Sequence, residues 1–304
     1  SSWNKAIPIE RDRWQSQTLV GGVGALLAGL CVHTAAFASS QTAQLPDFVL
    51  ALGISIAFAL AAWRLRATTP AGAACGGMVC LLLTFWLGRL PNSLLRTGLT
   101  PLMLLFVLTF TATRLGRRRK AISGLAEGRR GRSAAQVIAN LGAAGLAASW
   151  IGWIGAASLL PWLRHTAPGH DALSTSIGTV ALAALAEATA DTVSSEMGQA
   201  FGGSPVLLTT MRRVATGVDG AITAIGTVAG VIGAVAVSGA GQWALRLSAR
   251  NAVVALIAGV AGLFFDSLLG ATVERRGWVG NDLVNFASTL FAAGVALSLL
   301  IAAS

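Results

Sequence analysis

Long apolar runs separated by short polar or basic connections dominate the chain, and roughly 20 apolar residues are enough to cross a bilayer as a helix. The runs cover 18–39, 48–63, 71–87, 98–113, 134–160, 174–193, 217–240, 252–272 and 283–302. They predict an all-α, polytopic integral membrane protein with about eight or nine transmembrane helices in one bundle. The second and fourth runs are short, and the first carries His33 near its middle. Eight spans plus a surface helix therefore stands beside nine spans. Residues 1–46 read as an N-terminal segment with an additional hydrophobic helix, and 47–304 as the membrane-embedded helical domain.

Composition agrees with that pattern. Hydrophobic residues make up 54% of the chain and charged residues 11%, against about 25% charged in a soluble domain, and mean hydropathy is +0.70. The 36 glycines suit helices that approach closely in lipid, where small residues replace the missing hydrophobic drive. Cys31, Cys75 and Cys80 lie in apolar runs without metal-ligand spacing and read as small hydrophobes. Trp14, Trp63, Trp162 and Trp278 stand at run edges, as an interfacial belt requires.

The net charge of +10 raises the question of nucleic acid, but basic residues beside spans usually set topology instead. Nucleic acid is not an expected partner. With nine spans and a cytoplasmic N-terminus, five cations, Arg89, Arg96, Arg164, Arg246 and Arg250, face outward. The other seventeen of the 22 Lys and Arg face the cytoplasm, as the positive-inside rule asks. The expected location is a bacterial inner membrane or an organellar membrane, with the active site facing the cytoplasm.

Only 12 residues are acidic, and an acid inside an apolar run is costly enough to ask for a function or a partner. Glu187, Asp191 and Ser195 are spaced by four, so a helix stacks them on one side. Gly262, Asp266 and Gly270 form a second such stripe, with Ser267 beside the acid. Gln136 and Asn140 share a face where the fifth run opens, and on spacing alone they serve helix packing as well as substrate contact. The last run opens on Asn281, Asp282 and Asn285. Between the sixth and seventh runs, Arg212, Arg213, Thr216, Gly217, Asp219 and Gly220 place cations, hydroxyls and glycines just before an expected helix start, an arrangement suited to phosphate. No Walker-type loop is present. His33, His165 and His170 support neither a zinc site nor a histidine base at that face.

These segments resemble an integral membrane family that includes the plant phytyl-phosphate kinases and the transmembrane protein 19 group. The resemblance rests on Gln136-Val-Ile-Ala-Asn140, Ala188-Thr-Ala-Asp191-Thr-Val-Ser-Ser-Glu196-Met-Gly198, Thr216-Gly217-Val-Asp219-Gly220, Phe265-Asp266-Ser267-Leu-Leu-Gly270-Ala271-Thr272 and Asn281-Asp-Leu-Val-Asn285. It runs from about Trp63 onward. Departures are the Ala215, Thr216 and Val218 of the glycine loop, where the family usually carries prolines and a Thr or Ser, and Asn140-Leu141 in place of an Asn-Gly pair.

The resemblance implies phosphoryl transfer from a nucleoside triphosphate, CTP among them, to an isoprenoid monophosphate such as phytyl or geranylgeranyl phosphate, giving the diphosphate. Such transfer needs positioning and charge neutralisation. Asp191, Glu196 and Asp266 are then the expected catalytic carboxylates and Mg²⁺ ligands. Lys120, Arg132, Gln136, Asn140, Arg212, Arg213, Thr216, Gly217, Asp219, Gly220, Ser267 and Asn285 are the expected substrate and nucleotide-phosphate contacts. The alternatives are a polyprenol kinase, a CTP-dependent cytidylyltransferase, or an ion-coupled transporter that uses the same acids for cations. Oligomeric state is not read from the sequence.

Overall fold

The computed structural model describes residues 7–88, 93–116, 131–149 and 170–302, the last stretch with side chains from residue 175. Among the described residues nine α-helices follow one another. They are α1 (Ile9–Ser40), α2 (Leu45–Arg64), α3 (Pro70–Trp86), α4 (Leu99–Arg114), α5 (Ala134–Ala148), α6 (His170–Phe201), α7 (Ala224–Leu245), α8 (Ala249–Leu269) and α9 (Asn281–Ala302). A two-stranded antiparallel ribbon, β1 (Val206–Leu207) with β2 (Ala221–Ile222), lies between α6 and α7. The chain is a helical integral membrane protein: α1, α2, α7, α8 and α9 are long and apolar enough to cross a bilayer, and α3, α4 and α5 are shorter apolar helices.

Local chemistry sets where several helices begin. Thr69 accepts from the Gly72 amide at 3.2 Å with Pro70 in the first helical position, and Ser133 and Gln136 form a reciprocal capping box at α5. Thr223 and Ser248 cap α7 and α8 in the same way. Each cap satisfies amides that have no intrahelical acceptor. Helix α1 starts at Ile9, nine residues before the apolar run. At about 1.5 Å per residue its 32 residues outreach the roughly 30 Å hydrocarbon layer, so its charged first turns stand at headgroup level.

Helix α6 is the central post, packed against α4, α5, α7, α8 and α9 and buried on every side from Ile177 to Ala190. Its alanines let neighbours come close. A Cβ on Gly230 of α7 would lie 2.6 Å from the Ala190 carbonyl oxygen, and one on Gly259 of α8 would lie 2.8 Å from Ala186. Backbone approach of this kind holds helices together in lipid by dispersion. Helices α1 and α2 instead show Leu26, Val32, Val49 and Ile56 on the outside, which is the surface a lipid solvent covers.

Two ends of the bundle differ in charge. At one end the amino end of α1 meets the α8–α9 connection, where Arg11 donates to the Gly277 carbonyl at 3.2 Å and Ser16 to Asp282 at 2.7 Å. The same end holds Arg114, which donates to the Leu65 carbonyl at 2.9 Å, and Arg132, bonded through its backbone to Ala67 and Thr69. At the other end Arg96 hydrogen-bonds the Trp243 carbonyl and lies over its ring.

The seventh span differs from its expected bounds. It begins at Ala224, not at residue 217, because residues 205–222 fold back as the ribbon and its turn before Thr223 caps the helix. Cys75 and Cys80 are buried free thiols and Cys31 is a half-buried one.

A polar cavity at the charged end

Where α5 and α9 begin and α6 and α8 end, a cavity of about 290 Å³ opens. Its walls carry Arg132, Gln136 and Asn140 from the start of α5, Asp191 and Glu196 from the end of α6, and Asp266 and Ser267 from α8. Asn285 of α9 and Thr216, Gly217, Asp219 and Gly220 of the α6–α7 connection complete it. Residues scattered over more than half the chain thus meet in one place. The four-residue spacing explains this, because each stripe turns its polar members to the same side of its helix.

Several contacts fix these side chains. Ser288 of α9 donates to Asp266 Oδ2 at 3.3 Å, so Asp266 faces the bundle interior. Ser195 donates to Asp191 Oδ1 at 3.5 Å. Asn140 Nδ2 donates to the Gln136 carbonyl at 2.8 Å, while the Gln136 side-chain oxygen accepts from the Ser133 amide at 2.8 Å. Gln136 therefore serves the α5 cap from within the cavity wall.

The glycine connection is clamped onto α8. Gly220 has φ +70°, and a Cβ there would lie 2.0 Å from the Ala271 amide nitrogen. Gly270 meets the same loop from the other side, its would-be Cβ 2.7 Å from the Gly220 nitrogen. Left-handed backbone and close approach both call for glycine here.

Charge is crowded. Asp191 and Asp266 lie near enough to repel one another, Asp191 also feels Glu196, and Glu274 adds a further negative group beside Asp219 and Asp266. Arg132 is the cation acting on Asp191, and Arg275 the one acting on Asp219. Asp219, outside the spans, is held above the usual carboxylate range by partial desolvation, with Arg275 pulling it back. Among the described residues no three His, Cys, Asp or Glu side chains are grouped tightly enough to hold one ion between them.

Arg212 and Arg213 stand elsewhere. Both are exposed on the turn of the ribbon, where the Arg212 carbonyl accepts from Leu207 and Arg213 bridges Val206, and neither lines the cavity. The position just before a helix start expected for them is lost, because residues 205–222 fold back as the ribbon and its turn and α7 begins only after Thr223. Lys120 lies outside the described residues.

Two acids that the candidate set did not contain stand at or behind the cavity wall. Glu274 lines the cavity, one further step along the stripe of Gly262, Asp266 and Gly270. Glu187 lies one turn deeper than Asp191, 1% exposed, beside Ser288, and among the described residues neither carboxylate oxygen is in full hydrogen-bond geometry with a partner. Gly262 makes room for it, since a Cβ there would lie 2.5 Å from Glu187 Cγ.

Three relatives match parts of the chain. Uncharacterized membrane protein MJ0933 of Methanocaldococcus jannaschii is 40% identical over 109 residues, 36% of this chain and 45% of its own length. Uncharacterized membrane protein sll0875 of Synechocystis is 25% identical over 195 residues, 64% of this chain and 70% of its own. Protein VTE6, chloroplastic, of Arabidopsis thaliana is 27% identical over 185 residues, 59% of this chain and 51% of its own. The alignments thus span about half the length of two of these three proteins. No solved structure matches the chain. The family described as Integral membrane protein DUF92 matches residues 53–293, all the cavity-lining helices among them, and the protein belongs to that family.

Proposed function

We propose that the protein is a membrane-embedded phosphotransferase, moving the terminal phosphoryl group of a nucleoside triphosphate to an isoprenoid monophosphate and releasing the diphosphate. The observation that carries the reading is the cavity itself: carboxylates, amides, hydroxyls and a glycine loop from five parts of the chain, gathered at one end of a bundle built for lipid. Family membership and the plant chloroplast relative support it, and the resemblance points to CTP as donor.

The donor set suits Mg²⁺. Among the described residues the cavity walls offer oxygen ligands and neither histidine nor cysteine, which favours a hard cation. Carboxylates spread around the cavity, and not grouped in a cage, fit an ion that keeps waters and takes one or two protein ligands plus substrate phosphates. One or two of Asp191, Glu196 and Asp266 would hold it together with the substrate phosphates, and it would neutralise charge on the transferring group.

The chain's own groups do the rest. Arg132 at the start of α5 pairs with phosphate, and amides of the Thr216–Gly220 loop approach it without side-chain obstruction at the glycines. An oxygen of the acceptor monophosphate attacks the terminal phosphorus, the bridging P–O bond breaks, and the nucleoside diphosphate leaves with that electron pair. The attacking oxygen is already anionic at neutral pH, so no base has to remove a proton. A polyprenol acceptor would need one. The cation-rich end of the bundle, by the positive-inside rule, faces the cytoplasm, where the nucleotide is.

The test is purified protein in detergent with Mg²⁺, each nucleoside triphosphate in turn, and prenyl alcohols, prenyl monophosphates or phosphatidate. Prenyl diphosphate plus nucleoside diphosphate is the expected product pair. Release of pyrophosphate would identify a cytidylyltransferase, and phosphorylation of alcohol alone a polyprenol kinase. Glu187 is the feature an ion-coupled carrier would use, and cation flux in proteoliposomes without product formation would replace the enzyme reading.

A further inference from the structure

A second cavity, of about 400 Å³, lies beside the first, between α2, α3, α4 and α5. Its body is apolar, lined by Phe58, Leu105, Phe106, Phe110 and Val137, and its floor on α3 is cut by Gly76. At the charged end it is rimmed by Arg66, Arg114 and Arg132. Arg132 and Asn140 line both cavities, so the two are neighbours across the start of α5.

The walls show how a chain molecule enters. Helices α2 and α4 hardly touch, and what closes the gap is the edge of Phe58 against Phe106, with ring centroids 5.5 Å apart. Phe58 and Phe106 are half-exposed, so the gap faces the lipid solvent and aromatic side chains, not backbone, stand across it. Arg114 lies over the Phe110 ring at 4.0 Å and donates to the Leu65 carbonyl. The rim cation is thereby fixed where the apolar wall ends.

We propose that this cavity holds the hydrocarbon tail of a single-chain isoprenoid monophosphate, entering between α2 and α4, with its phosphate at Arg132 and facing the polar cavity. The identification of the ligand as an isoprenoid monophosphate rests on the function proposed above. The geometry adds which helices take the tail and where the phosphate stops. An apolar cavity in the size range of small-molecule sites, rimmed by three guanidinium groups, matches an amphiphile with one anionic end. Its continuity with the polar cavity through Arg132 and Asn140 delivers that end to the carboxylates and the glycine loop.

Gly76 tests the assignment. A Cβ there would lie 3.6 Å from Phe58 and 3.8 Å from Val137, ordinary contact distances, so a larger side chain occupies the cavity without meeting backbone. The probe is a twenty-carbon isoprenoid monophosphate with a diazirine at the tail end, irradiated with the full-length protein in lipid nanodiscs and mapped by peptide mass spectrometry. Adducts are expected on α2 and α4 around Phe58 and Phe106, competed by unlabelled prenyl monophosphate and not by phosphatidate. Gly76→Leu should lower labelling about tenfold, since it displaces buried tail carbons. Should that variant fail to fold, Phe106→Ala, on the half-exposed outer wall, is expected to weaken competition severalfold. Adducts on other helices, equal competition by phosphatidate, or labelling indifferent to both substitutions would overturn the tail site. The two readings fail separately: prenyl diphosphate formation with labelling elsewhere removes only the tail site. Labelling of this cavity without any product removes only the kinase.

Discussion

The two cavities share Arg132 and Asn140 and little else. The polar one is made of helix ends and a connection, from residues that carry charge or hydrogen bonds. The apolar one has a body of helix middles, where Phe58, Leu105, Phe106 and Val137 offer area, and carries its charge at the rim, on Arg66, Arg114 and Arg132. Free amides and carbonyls exist at helix ends, while mid-helix backbone is already satisfied and only the side chain speaks. A bundle in lipid can therefore host ion and phosphate chemistry at its rim and a hydrocarbon chain in its body with the same helices. The capped start of α5 is the partition between them.

The division breaks most sharply at Asp266. Asp266→Asn keeps the shape, and so the α8–α9 packing, while removing charge from the polar cavity. Phosphoryl transfer should fall about 10²–10³-fold, the scale of losing one electrostatic contact to a transition state, at an unchanged melting temperature in detergent. Near-normal turnover per folded molecule would take Asp266 out of the mechanism. Gly220→Ala comes next, because it strains a left-handed residue pressed against Ala271. A loss of about 1–3 kcal/mol in stability with falling activity should appear in paired melting and turnover assays, and an unaffected loop would show that the clamp onto α8 is not needed.

Arg132→Gln touches both cavities at once. Loss of one charged hydrogen-bonding partner should raise the acceptor KM about tenfold, and a change in nucleotide KM alone would assign Arg132 to the polar side only. The smallest effect belongs to Ser133→Ala, which removes half of the α5 capping box. About 1 kcal/mol of stability should go, read as a lower melting temperature, with KM values retained.

The helices were legible because an apolar run of span length in a polar-poor chain has one stable outcome in a bilayer. The acids were legible because a charge inside such a run is expensive. Reading the α8 stripe one step further, from Gly270 to Glu274, would also have found the cavity's fifth acid. The basic Arg275 and Arg276 that follow make that step look like a membrane border. The ribbon at 205–222 had no such signal. Its strands are two residues each, too short to alternate, and the glycine-rich run from Gly217 onward reads as helix. With the helix start shifted to Ala224, Arg212 and Arg213 stand on the turn of the ribbon and not beside a helix N-terminus. The apolar cavity was invisible for a different reason, since Phe58, Gly76 and Phe106 look like any lipid-facing or packing residue until α2 and α4 are seen to stand apart.

Helix α1 lies outside the stretch matched by the family, yet Gln15 grips the α8–α9 connection twice, donating to the Trp278 carbonyl at 2.9 Å and accepting from the Gly280 amide at 2.8 Å. That connection leads directly into Asn281 and Asn285 on the cavity wall. The first turns of α1 are thus joined by hydrogen bonds to a connection that enters the cavity wall, and any coupling through it is reciprocal. A nucleotide bound in the cavity should slow amide hydrogen exchange at Gly280, and Gln15→Ala should speed that exchange and weaken nucleotide binding, so that a helix the family match leaves out acts as a dial on affinity.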